Sequence, residues 1–89
     1  MLPEELIKFN HYRDYDNIWQ CIEDAGSQIK EYGGKHPTKI VAATKCEIIK
    51  DGISYFGYAF CGEHDQFSRK IGRLNSLERA RKEMNEKGL

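Results

Sequence analysis

The chain has 89 residues, enough for one domain and one modest core. Its 39% hydrophobic and 31% charged content fits a folded globular domain and excludes a disordered composition. Fourteen basic residues balance fourteen acidic ones, so no long-range attraction to nucleic acid or to a membrane surface is expected.

The first residues, MLPEELIKF, lack the basic start and apolar run of a signal peptide, and no apolar run approaches a membrane span. A cytoplasmic protein that uses no membrane is the expectation. Within this segment PEELIKF reads as one short helical turn. From Asp16 to Tyr32, Ile18, Ile22, Ala25, Ile29 and Tyr32 recur at helical spacing. They predict a first long helix, started by Asp14 or Asp16 and stopped by Gly33-Gly34 and His36-Pro37.

Between Thr38 and Cys61, β-branched and aromatic residues flank Lys50-Asp51-Gly52, the pattern of a hairpin of two long strands. A two-residue Asp-Gly loop places Ile48, Cys46 and Thr44 with Tyr55, Gly57 and Ala59, leaving Phe56, Tyr58 and Phe60 beside Lys45 and Glu47. A three-residue loop reverses the pairing. The second arrangement gives one apolar face (Ile40, Ala42, Thr44, Cys46, Ile48, Phe56, Tyr58 and Phe60) and one mixed face, and is preferred for a sheet covered on one side. It makes the aromatic run core, and turns Tyr55 and Lys45 toward a partner or ligand.

Asp65 is the expected cap of a last helix from Gln66 to Asn85, with Phe67, Ile71, Leu74, Leu77 and Met84 as its buried stripe. The predicted fold is therefore α+β: one domain over residues 1–89, ordered helix–strand–strand–helix, with an antiparallel hairpin covered on one face by two helices. Both strands of such a sheet are edges, which points to a homo-oligomer.

No catalytic constellation is present, and no cofactor is implied. Cys21, Cys46 and Cys61 are odd in number and widely spaced, as reduced thiols rather than a disulfide framework. Cys61 and His64 have a Cys-x-x-His spacing, but no second close ligand pair accompanies them, so no metal site is assigned. GGKHPT lacks the spacing of a phosphate loop and is read as a helix stop.

The segment SRKIGR is more informative. Arg69 and Arg73 are one turn apart on the last helix, Ser76 continues their row and Lys70 lies alongside. Cations at a helix start oppose the macrodipole by about 0.3–1 kcal/mol each, so either carboxylates such as Glu63 and Asp65 or an anionic ligand should compensate them. Gly72, inside the same helix, implies close approach of a backbone or ligand. Arg69, Arg73, Lys70, Ser76, Tyr55 and Lys45 form the candidate ligand site.

Residues 59 to 80, AFCGEHDQFSRKIGRLNSLERA, resemble a pattern in small phage and prophage proteins through Ala59, Cys61, Asp65, Phe67, Gly72, Arg79 and Ala80. The layout, with its spaced arginines, is similar to that of phage anti-Thoeris sponges, oligomers that sequester cyclic nucleotide signals. That resemblance implies a non-enzymatic counter-defence inhibitor in the host cytoplasm, with Arg69 and Arg73 on phosphate. Its ligand would be an anionic nucleotide, a nucleic acid or a nucleic-acid-dependent host complex. An anti-CRISPR-type inhibitor that docks on a host effector protein is the alternative. The layout also resembles double-stranded-RNA-binding-like domains, which have three strands where two long ones are expected here.

Overall fold

The computed structural model describes residues 5–26, 40–62 and 68–87. Its elements in chain order are β1 (Glu5–Tyr12), α1 (Tyr15–Ala25), β2 (Ile40–Lys50), β3 (Ile53–Gly62) and α2 (Arg69–Lys87). The α+β class is as expected, but the element order is strand, helix, strand, strand, helix. The segment expected to give a helical turn is instead a third strand, β1, which pairs antiparallel with β2 from Glu5–Lys50 to Tyr12–Ala43. Leu6, Ile7 and Phe9 are three apolar residues interrupted by Lys8, and the long ladder to β2 outweighs their weak local preference. β2 is therefore the central strand, between β1 and β3.

Asp14 caps α1, its carboxylate accepting from the Asn17 backbone N–H at 3.1 Å and from the Asn17 side-chain amide at 2.7 Å. These hydrogen bonds hold the Asp14 carboxyl below its ordinary pKa. The helix ends earlier than Tyr32, at Ala25, because Gly26 takes a positive φ of 54° and stops it. The expected stop at Gly33-Gly34 lies outside the described residues.

The β2–β3 turn has two residues, not three. Asp51 (φ 54°) and Gly52 (φ 77°) both have positive φ, the requirement of the tight Asp-Gly hairpin, and Lys50 pairs with Ile53. Ile48 thus opposes Tyr55, Cys46 opposes Gly57 and Thr44 opposes Ala59. Polarity favours the longer loop only if both helices cover one face. They cover opposite faces.

On one face α2 lies over Cys46, Ile48 and Tyr55, with Ala80 inside and Phe9, Leu77 and Met84 around them. On the other face α1 packs Ile18, Cys21 and Ala25 against Ala43 and Tyr58, with Phe56 and Phe60 half-buried beside them. An irregularity in pairing between Ile40 and Ala42 leaves Val41 exposed and carries Ile40 into this second cluster. Full burial of a side chain such as Ile48 contributes about 1.5–3 kcal/mol.

α2 approaches the sheet closely because its inner row is small. Gly72 faces Thr44, and Ser76 and Ala80 face Gly57. A Cβ on Gly57 would overlap the Ser76 carbonyl oxygen and the Ala80 nitrogen, and one on Gly72 would overlap the Thr44 hydroxyl. The expected buried stripe holds only at Leu77 and Met84, which pack against the core; Ile71 and Leu74 are exposed, and Ser76 and Ala80 are buried in their place. Phe67, the stripe's first member, and the cap Asp65 lie outside the described residues. At the start of the helix the Ser68 hydroxyl accepts from the Ile71 N–H at 3.3 Å.

The outer edge of β3 is covered by α2 side chains. Glu83 accepts from the Phe56 backbone N–H at 2.7 Å, and Arg79 donates to the Tyr58 carbonyl at 2.5 Å. Unpaired strand groups would otherwise face outward there.

Candidate functional site

Gly72 brings the start of α2 against Thr44, and Thr44 is paired with His11 on β1. The His11 ring shares a hydrogen bond through Nδ1 with Thr44 Oγ1 at 3.0 Å. Arg69 and Arg73 flank Gly72 at three residues before and one after, and both are exposed. Burial, and then the charge of Arg69 and Arg73, hold the His11 imidazole below its ordinary pKa of 6.5. Three basic side chains from two elements thus converge at one end of the sheet. α2 has no acidic residue in its first turn, and neither arginine has a carboxylate partner among the described residues.

Only part of the expected site assembles here. Arg69 and Arg73 come together, and Lys70 is exposed beside them. Ser76, by contrast, is wholly buried, its hydroxyl donating to the Arg73 carbonyl at 3.2 Å. Tyr55 is 8% exposed and lies under α2, as the two-residue loop requires. Lys45 is on the opposite face of the sheet, its Nζ 4.8 Å from the centre of the Phe56 ring. The carboxylates Glu63 and Asp65 lie outside the described residues. His11 was missed from sequence because its place beside Thr44, 33 residues away, depends on the β1–β2 ladder.

A second feature is a cleft of about 700 Å³ between the end of α1, the β3 edge and the second half of α2. Lys45, Phe56, Arg79 and Lys82 line it, but so do Asp24, Glu83 and Glu86. Arg79 and Glu83 are held by the β3 backbone, and Lys87 pairs with Glu83 at 2.8 Å. Its charges are mixed, and the carboxyl end of a helix disfavours anions. The two arginines at the start of α2, by contrast, have no described carboxylate partner.

Among the described residues no group of three or more His, Cys, Asp or Glu side chains is placed to hold a metal ion. His64, of the Cys-x-x-His pair, is outside them. No described helix is long and apolar enough to cross a membrane. No known protein family, characterised protein sequence or solved structure matches this chain.

Proposed function

We propose that this chain is a non-enzymatic binding protein that takes up an anionic nucleotide, or the phosphates of a nucleic acid, in stoichiometric amounts. Inhibition of a host defence system by a phage-type protein is the biological setting that its sequence resemblance suggests. The observation that carries the reading is the convergence of Arg69, Arg73 and His11 at the start of α2, where the first turn carries no acidic residue and neither arginine has a described carboxylate partner. Two guanidinium forks and an imidazole suit phosphate oxygens, and the positive end of α2 adds to them.

Calorimetric titration of the full chain with a nucleoside triphosphate, a cyclic dinucleotide and a short single-stranded RNA tests the reading. Arg69→Ala/Arg73→Ala should weaken binding of any responsive probe roughly a hundredfold or more, since each charge-assisted contact contributes about 1.5–3 kcal/mol. Melting should change little, because both side chains are exposed. The pH dependence has a definite sign. A bound anion offsets the arginine charge and raises the His11 pKa, so the complex holds more proton than the free protein. Affinity should therefore rise as pH falls toward the lowered pKa of free His11, and His11→Gln should flatten that profile. A double variant that binds as tightly as the natural chain sinks the proposal.

A second reading is favoured by the exposure of Ile71 and Leu74, 57% and 55%, on the outer side of α2. Such residues suit docking on a host effector protein, the anti-CRISPR-type mode. Loss of effector capture in Leu74→Asp, with nucleotide binding absent, would favour it over the first.

A further inference from the structure

The two edges of the sheet are treated differently. At β3 the outward groups belong to Phe56 and Tyr58, and α2 caps both. In an antiparallel ladder such outward groups alternate with inward ones, so the register carries this parity across the sheet. The odd residues of β3 bond to the even residues of β2, and the odd residues of β2 bond to the even residues of β1. Glu5, Ile7 and Phe9 therefore point their backbone N–H and C=O groups away from the sheet, and no described side chain is bonded to them. Beside these groups are the exposed apolar side chains of β1, Leu6 at 55% and Ile7 at 37%.

We propose that β1 is the interface strand of a homodimer, pairing antiparallel with β1 of a second copy about a two-fold axis at Ile7. The two sheets then join into one of six strands. A strand edge with free, alternating donors and acceptors is matched by another strand, and a copy of the same chain supplies one with the same parity.

Centring the axis on Ile7 sets Ile7 against Ile7 on the α2 face. On the α1 face it sets Leu6 against the aliphatic stem of Lys8. No like charges oppose each other in this register, whereas an axis at Lys8 would place two ammonium groups face to face. The chain's zero net charge adds no long-range repulsion between copies. This inference is independent of the anion site, because His11 lies outside the segment paired in this register.

Sedimentation of the full chain at high micromolar concentration should give twice the 10.3 kDa monomer mass. Ile7→Pro removes an N–H that the monomer does not use, and Ile7→Lys places two cations on the axis; each should yield a folded monomer by circular dichroism. Ile7→Cys in a Cys61→Ser background should form an intermolecular disulfide on mild oxidation, since a hydrogen-bonded pair has its Cα atoms about 5.5 Å apart. Asn10→Cys in the same background should not. A monomeric natural chain, a dimer that survives Ile7→Lys, or equal cross-linking at positions 7 and 10 would overturn the proposal. Should Ile7→Pro fail to fold, the lysine and cysteine variants decide the matter.

Discussion

Replacing Gly57 with alanine adds one methyl group at the tightest point between sheet and helix. In this structure that methyl would overlap two backbone atoms of α2, the Ser76 carbonyl oxygen and the Ala80 nitrogen. Neither can rotate aside, so α2 must lift and partly uncover Cys46, Ile48 and Tyr55. Overpacking of this kind costs typically about 1–3 kcal/mol. Against it stands a gain of roughly 0.5–1 kcal/mol from the stiffer unfolded chain. Because the overlap is with backbone, the cost falls at the upper end of that range, and the expected net loss is about 2 kcal/mol, or a fall in melting temperature of roughly 8–16 °C for a domain of this size. Urea denaturation with the slope held as a second observable measures it. Gly72→Ala is the control: its methyl meets the Thr44 side chain and restores helix propensity, so its loss should be smaller, and Thr44→Ala should relieve it. An unchanged or raised midpoint for Gly57→Ala would refute both the hairpin register and the face assigned to α2.

Two further outcomes follow from burial. Tyr55→Ala should cost about 3–5 kcal/mol and Phe56→Ala, from a half-buried position, roughly 1–2 kcal/mol; chemical denaturation giving the opposite order would return Tyr55 to the surface. Burial pushes the Cys21 and Cys46 thiols up to about 11, so an aromatic disulfide reagent at mildly alkaline pH should react first with half-buried Cys61 and reach the others only on unfolding. Three thiols reacting at one rate would contradict the packing.

The elements that were legible from sequence are those whose signals are local. Asp14 capped its helix, the residues around Asp51-Gly52 formed a hairpin, and the positions after Ser68 formed a long helix. What failed depended on partners distant in sequence. β1 is specified by its ladder to β2, which no local pattern around Leu6 and Ile7 announces. The hairpin register was in fact written in the Asp-Gly pair, but a polarity count overrode it on the premise of one covered face. With a helix on each side, Tyr58 and Cys46 are both core, and alternation loses its meaning. Half of the candidate site fell with that premise: Tyr55 and Ser76 became packing residues and Lys45 moved to the other face. Arg69 and Arg73 lie together as expected because helical spacing alone places them so.

The clamp on the β3 edge also fixes where along the sheet α2 comes to rest. The small row does not do so by itself, since Ser68, Gly72 and Ser76 could fill the slots of Gly72, Ser76 and Ala80 after a slide of one turn. That slide would aim the Arg79 guanidinium at the Phe56 N–H, donor against donor. A slide the other way would set the Glu83 carboxylate against the Tyr58 carbonyl, acceptor against acceptor, and push Met84 into a space shaped for Ala80. Polarity read in order along one strand edge, acceptor to N–H and donor to C=O, thus acts as a vernier for a helix whose packing surface is nearly featureless.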